Sequence, residues 1–210
     1  MPNVTLTTGI YEFYQVNPFT MAYHHGVLAG QMLAIMIAKS NVFNSNGLCL
    51  LGFSLGSVFA YSTCVTLFDL GCHDKVGDVC LMGSTVDLSS LGQNIHKLIG
   101  TKGVVQGKLT VVYTIHDTVL AYLFRYARLG ETPIGLKSIS LEFLMNCLRE
   151  NDPELAQYSQ SKLEAYMKNK FENINVSEWV FGHMDYSSKM CDILSSIDFN
   201  SDLQRFGMFD

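Results

Sequence analysis

Four short apolar runs divide the chain and alternate with segments of helical periodicity. The clearest run, residues 48–53, has the continuous apolar pattern that is typical of a strand buried on both faces. Residues 78–82 and 109–115 form two similar runs, each followed by polar or turn residues, and residues 174–176 form a weaker fourth. This order predicts an α/β fold with a mostly parallel sheet flanked by helices.

Helical patterns lie before the first run, after the fourth, and in two of the three segments between runs. We predict helices from Thr20 onward, over residues 57–70, and over residues 187–197. Residues 141–170 are richer in charge, and Pro153 divides two helical patterns there, which indicates a helical insertion between the third and fourth strands. The chain is therefore predicted to be one domain, residues 1–210, that carries this insertion.

Composition narrows the class of protein. With 48% hydrophobic and 16% charged residues, 210 residues can form one globular core. A net charge of −5 provides no basic surface, so we expect no nucleic-acid partner. The six cysteines include no C-x-x-C pair and most lie in apolar runs, so we expect reduced, buried thiols and an intracellular, reducing compartment.

Targeting and metal signals are weak. The N-terminus lacks the basic start and apolar run of a secretory signal. The longest apolar stretch, residues 26–38, is too short to span a membrane and carries Gln31. Cys72, His73 and Asp74 are adjacent, but no second ligand group has suitable spacing, so we expect neither a metal nor a cofactor.

The run at residues 48–53 leads into the motif Gly52-Phe53-Ser54-Leu55-Gly56, and a helical pattern follows. A strand, a sharp turn and a helix are the setting of a nucleophile elbow, in which the serine side chain projects from the end of the sheet. The two glycines are expected to relieve clashes in the turn. The backbone N–H of Leu55, at the helix start, is the candidate oxyanion donor.

A serine nucleophile needs a base and an orienting acid, which in this type of fold follow it in the order acid, then histidine. Asp117 ends the third run and His183 follows the fourth, so both fit. Two alternatives stay open: Asp117 as the N-cap of a helix from Val119 onward, and His183 as a surface-loop histidine. His116 is expected to point away from Asp117, and the remaining histidines precede the motif or lie in connections.

Six segments in one order resemble a known family. They are Asn17-Pro18-Phe19 with Ala29-Gly30-x-x-Leu33-Ala34, then residues 51–57 (LGFSLGS), 79–84 (VCLMGS), 113–125 (YTIHDTVLAYLFR), 135–139 (GLKSI) and 176–186 (VSEWVFGHMDY). Together they resemble the transmembrane and coiled-coil domain-containing family of α/β-hydrolases. The resemblance implies an α/β-hydrolase fold and a catalytic triad of Ser54, Asp117 and His183.

The resemblance also raises an expectation about the edge of the sheet. Family members carry a long N-terminal region with membrane segments and the first strands of the sheet, whereas this chain starts shortly before the helix that precedes the elbow strand. We therefore expect a protein partner, or residues 4–14, to cover the free edge of the elbow strand. The resemblance further implies peripheral association with a membrane.

Three functions are compatible with these features. The first is a serine hydrolase that acts on an ester or lipid. The second is a catalytically silent hydrolase-fold subunit with a structural or trafficking role in a larger assembly. The third is a lipase whose site is gated by residues 141–170, although the apolar residues of that segment also suit a core or an interface.

Overall fold

The computed structural model describes residues 17–40, 48–73, 75–124 and 131–197. Within them, four parallel strands form one sheet whose spatial order is the chain order: β1 (Leu48–Phe53), β2 (Val76–Met82), β3 (Leu109–Tyr113) and β4 (Phe171–Asn175). The predicted α/β architecture, a parallel sheet flanked by helices, is confirmed.

Helices connect the strands and flank the sheet. In chain order they are α1 (Pro18–Lys39), α2 (Leu55–Asp69), α3 (Leu88–Ile99), a short π-helical segment (Val119–Phe124), α4 (Leu141–Asn151), a 3₁₀ turn (Leu155–Gln157), α5 (Gln160–Lys170), α6 (Asp185–Ser188) and α7 (Met190–Ser196).

Alternating side chains of the central strands enter two separate cores, as the two-residue period of a strand requires. Val79 and Leu81 of β2 belong to the larger core, which contains buried residues of helices α1 to α5. Cys80 and Met82 face the other way, into a smaller core formed with residues of β3 and of the segment that follows β4. Both central strands, β2 and β3, are completely buried.

Helix α1 begins two residues earlier than the sequence pattern indicated, because Asn17 caps it and Pro18 occupies its first position. It packs closely on α2 through Gly30, where an added Cβ would lie 2.5 Å from the carbonyl oxygen of Phe59. Its opposite face exposes large apolar side chains: Met21, Leu28, Met32, Ile35 and Met36.

The expectation that no segment could span a membrane needs correction at this helix. Helix α1 has 22 residues, and an 18-residue stretch within it has a mean hydropathy of 1.2, so it is long and apolar enough to cross a membrane by length and composition. Only 22% of that stretch is buried. The sequence pattern underestimated the segment, because the uninterrupted apolar stretch begins at residue 26, whereas the helix begins at Pro18.

The segment of residues 141–170 forms two helices between β3 and β4. Asp152, at their turn, accepts hydrogen bonds from Thr101 N–H and from its hydroxyl. Thr101 lies in the connection that enters β3, at the edge of the sheet opposite to Ser54. Leu144 and Leu148 are buried in the larger core. The helices therefore have the placement of a crossover connection rather than of a lid over Ser54.

The cysteines are less buried than the sequence indicated. Only Cys64 and Cys80 are buried, whereas Cys49 and Cys191 are exposed, so the expectation that most cysteines are buried is wrong. Among the described residues, β1 pairs with β2 alone. Residues 4–14 were expected as one of the segments that could pair with the free edge of β1, and they lie outside the described residues.

Candidate functional site

Ser54 lies in the turn between β1 and α2, at the carboxyl edge of the sheet. Its φ of 53° and ψ of −123° are unusual, and it is the one non-glycine residue with positive φ in the described part of the chain. Such a conformation costs about 1–3 kcal/mol and is typical of functional sites. The turn is fixed by a hydrogen bond of 3.0 Å from Ser54 N–H to the carbonyl of Met82 on β2.

The two glycines of the motif are not equivalent. An added Cβ at Gly52 would lie 2.6 Å from the carbonyl oxygen of Gly56 and 2.6 Å from Cα of Ser57, so only glycine fits there. A Cβ at Gly56 would meet nothing within 4 Å. The expectation that both glycines relieve clashes is therefore wrong for Gly56, which lies on the outer side of the first turn of α2.

Asp117 follows β3 and its side chain is fully buried. One carboxylate oxygen accepts a hydrogen bond of 2.9 Å from Leu120 N–H, so Asp117 caps the helical segment Val119–Phe124. The other oxygen lies 2.6 Å from Nδ1 of His183. The strand ends at Tyr113, so the alternation expected to separate His116 from Asp117 does not reach them.

His183 lies in the connection after β4, is 8% exposed, and joins the other two residues. Its Nδ1 faces Asp117, and its Nε2 lies 2.7 Å from Oγ of Ser54. Because a carboxylate only accepts hydrogen bonds, Nδ1 carries the imidazole proton and Nε2 is left to accept the serine proton. The structure thus brings together the three side chains that the sequence order singled out, and His183 is not a surface-loop residue.

Two aromatic rings, which the sequence analysis did not assign to the site, hold the imidazole in place. The Phe53 ring lies 5.0 Å from the His183 ring and 5.4 Å from the Tyr186 ring. Tyr186 is completely buried, and burial together with the nearby Asp117 charge raises the pKa of its phenol. Tyr186 is therefore a neutral side chain whose ring packs beside the His183 ring.

The candidate oxyanion donor, the other histidines and the potential metal ligands were also considered in the sequence. Leu55, the candidate oxyanion donor, is the first residue of α2, so its N–H is at the positive end of that helix. Each of the other histidines of the described chain has a different setting: two lie on α1, His73 and His96 are edge-on to Phe68, and His116 lies against Phe181. The described residues hold no group of three or more potential metal ligands.

The fold and the site together define an α/β protein with a serine–histidine–aspartate cluster at the carboxyl edge of a parallel sheet. The chain belongs to the family described as "Protein of unknown function (DUF726)", which matches residues 11–200. No solved structure matches the chain.

Two fungal proteins are similar over most of the chain. One is named probable lipase MIL1, from Saccharomyces cerevisiae, with 26% identity over 182 residues that cover 86% of this chain and 14% of that protein. The other is an uncharacterized membrane protein of Schizosaccharomyces pombe, with 25% identity over 179 residues, or 85% of this chain and 25% of that protein. The chain thus spans a quarter or less of the length of each relative.

Proposed function

We propose that this protein is a serine hydrolase of the α/β-hydrolase fold that cleaves ester bonds in lipid substrates. The observation that carries the proposal is the imidazole of His183, which lies within hydrogen-bond distance of both Ser54 and Asp117. A histidine bonded to a buried acid on one side and to a strained serine on the other has the geometry of a general base paired with its nucleophile.

The reaction follows from these contacts. Nε2 of His183 takes the hydroxyl proton while Oγ of Ser54 attacks the ester carbonyl, and the Leu55 N–H stabilises the oxyanion of the tetrahedral intermediate. Asp117 stabilises the imidazolium. The imidazolium then protonates the departing alcohol and leaves an acyl group on Ser54. Water, deprotonated by the same imidazole, attacks this acyl-enzyme. The bond between the acyl carbon and Oγ of Ser54 breaks, the imidazolium returns its proton to Oγ, and the carboxylic acid is released.

An apolar rim beside the site supports the lipid class of substrate. We define the rim as Ile115, Tyr122, Phe181 and Met184, which are 60–75% exposed and lie within five residues of Asp117 or His183. The segments that follow β3 and β4, which carry the rim, touch each other, since the His116 and Phe181 rings lie 5.8 Å apart. The relative named as a probable lipase supports the same class, and the membrane-protein relative, together with α1, supports association with a membrane surface.

A catalytically silent subunit of a larger assembly is the second candidate. The observation that favours it is β1, which leads into Ser54 and pairs on one side only within the described residues. In this fold type, the loop that follows the neighbouring strand supplies the second oxyanion donor. Under this candidate the site is a remnant, and the free edge of β1 receives a protein partner.

Labelling with a fluorophosphonate probe separates the two candidates. We expect wild-type protein to be labelled at Ser54, Ser54→Ala to lose the label, and the exposed-serine control Ser161→Ala to keep it. A folded wild-type sample that takes up no label contradicts the hydrolase proposal and favours the silent subunit. Peptide mass spectrometry identifies the labelled serine.

Chain-length dependence tests the substrate class. Replacing Phe181 and Met184 together by serine should lower kcat/KM for p-nitrophenyl palmitate about 10-fold more than for the butyrate ester, because a long acyl chain loses more apolar contact. Leu70→Ser removes an exposed apolar side chain at the opposite end of the sheet and serves as the control. Equal losses on both esters would exclude a role of the rim in binding acyl chains.

A further inference from the structure

The backbone carbonyl of Ser54 receives three hydrogen bonds. Ser57 donates two of them, from its backbone N–H at 3.0 Å and from its hydroxyl at 2.5 Å. Thr85, just beyond the end of β2, donates the third from its hydroxyl at 3.1 Å. Ser57 and Thr85 are buried, so water does not compete for these bonds.

The direction of the Ser57 bond is fixed by its surroundings. Its oxygen accepts hydrogen bonds from the Ser84 hydroxyl at 2.8 Å and from Thr85 N–H at 3.2 Å. A hydroxyl has one hydrogen and two lone pairs, so with both lone pairs occupied its hydrogen is committed to the Ser54 carbonyl. Residues of the turn after β2 thus direct the hydroxyl hydrogen of Ser57 toward the Ser54 carbonyl in the turn after β1.

Anchoring this carbonyl also orients the next N–H. The Ser54 carbonyl and the Leu55 N–H belong to the same planar peptide and point in opposite directions. Three donors that hold the oxygen toward the protein interior therefore hold the N–H of Leu55 toward the site. They also polarise the peptide, which strengthens the N–H as a donor.

We propose that Ser57 and Thr85 are positioning residues that orient the Leu55 N–H and the Ser54 side chain by anchoring the peptide between them. This inference rests on the proposed hydrolase function and adds two residues to its machinery. Neither side chain needs to contact the substrate. Both act through the conformation of Ser54, whose positive φ requires support from its neighbours.

The test compares Ser57→Ala and Thr85→Val with a matched control. Ser62→Ala also removes a buried hydroxyl of α2 that bonds to a carbonyl, that of Val27 at 2.9 Å, but it does not touch Ser54. We expect kcat to fall about 10-fold in the first two variants, with KM changed less than about two-fold, and to stay unchanged in the control. Thr85→Ser keeps the hydroxyl and should retain most of the activity.

A readout that does not need activity separates this inference from the proposed function. The nitrogen chemical shift of the Leu55 amide reports hydrogen bonding to the carbonyl of its own peptide, so it should move in Ser57→Ala and Thr85→Val and stay in Ser62→Ala. A shift that does not move, or a kcat that follows the control, overturns the inference. If wild-type protein is inactive, the hydrolase proposal fails and the amide shift alone decides whether the carbonyl is anchored.

Discussion

Asp117 serves two neighbours with its two oxygens. One accepts from Leu120 N–H at the start of a helical segment, and the other faces the imidazole of His183. The sequence left these roles as alternatives, but the contacts accommodate both. Substitution of Asp117 therefore affects helix capping and imidazole orientation together unless the replacement preserves one of them.

Asp117→Asn separates the two roles. Its amide oxygen can still cap the helix, so we expect the free energy of unfolding to fall by no more than about 1 kcal/mol. It cannot hold Nδ1 protonated and stabilise the imidazolium, so kcat should fall on the order of 10⁴-fold. Ester hydrolysis and urea unfolding measure the two effects. Asp87→Asn, at the buried cap of α3, is the control and should keep its kcat.

The unequal space at the two motif glycines gives a second prediction. Gly52→Ala forces backbone atoms of the elbow apart, and we expect a loss of about 2–4 kcal/mol in the free energy of unfolding, together with loss of probe labelling. Gly56→Ala has open space and should change the free energy of unfolding by less than about 1 kcal/mol. Similar losses in the two variants would contradict the geometry of the turn.

At the scale of elements, the apolar strands were easier to predict than the polar or amphipathic segments. Residues 48–53 were predicted with their observed bounds, because they form a continuous apolar run. The expectation that both faces of this strand are buried is wrong, since Cys49 and Leu51 are exposed on one face of β1. β4 was placed at residues 174–176 instead of Phe171–Asn175, since its sequence FENIN is mostly polar. Helix α3 was not predicted, although Leu91, Ile95 and Leu98 follow a helical period behind the cap at Asp87.

The residues of the candidate site also differ in whether the sequence could predict them. Ser54, Asp117 and His183 could be named from the sequence, because each follows a strand-like run and the carboxyl ends of parallel strands share one edge. Thr85 could not be linked to Ser54, because its hydrogen bond depends on the register between β1 and β2. The same register brings Ser84 and Thr85 to the Ser57 hydroxyl, whose own bond to Ser54 is local. That register sets Phe53 beside Met82 and is not encoded by a local motif.

The contact between α1 and α2 gives a third prediction. Gly26 and Gly30 lie one turn apart on α1, but a Cβ at Gly30 would lie 2.5 Å from the Phe59 carbonyl oxygen, whereas at Gly26 its nearest neighbour would be 3.5 Å away. We expect Gly30→Ala to lower the free energy of unfolding by about 1–3 kcal/mol. Gly26→Ala should be neutral or raise it by up to about 1 kcal/mol through helix propensity. Chemical unfolding monitored by circular dichroism measures both.

Asp152 makes the contact between the helices of residues 141–170 and the connection that enters β3 dependent on pH. Burial alone would raise the pKa of its carboxyl, but hydrogen bonds from Thr101, Leu155 and Glu154 outweigh this and hold the pKa below its usual range. A depressed folded pKa adds stability that is complete above the unfolded pKa of about 4 and is lost as pH falls through the folded value.

The fourth prediction follows from the lowered pKa of Asp152. Between pH 7 and pH 3 the urea midpoint should fall more in wild-type protein than in Asp152→Asn, whose side chain does not titrate. The Asn variant should already be less stable at pH 7 by about 1–3 kcal/mol, because it loses bonds to a charged acceptor. Asp192→Asn removes an exposed carboxylate and should retain the wild-type pH dependence. Parallel curves for wild type and Asp152→Asn would contradict the assignment.

At the scale of the whole molecule, each of the two cores buries one thiol. Cys64 lies in the larger core and Cys80 in the smaller one, and burial raises the pKa of each thiol to about 12. We expect a maleimide at pH 7 to modify the exposed Cys191 in folded protein and to reach Cys64 and Cys80 only after unfolding. Mass spectrometry of labelled peptides along a urea series tests this, and early labelling of Cys80 alone would show that the smaller core opens first.

The chain order of the sheet also has a consequence for synthesis on the ribosome. Strands β1 to β3 and the helices between them can pair as they emerge, but Cys80, Met82 and Val112 stay uncovered until Val176, Val180, Tyr186 and Ile193 follow. His183 belongs to that same late segment. The nascent chain therefore covers the smaller core and completes the serine–histidine–aspartate cluster at the same stage, and a chain that stops before His183 carries a serine without its base.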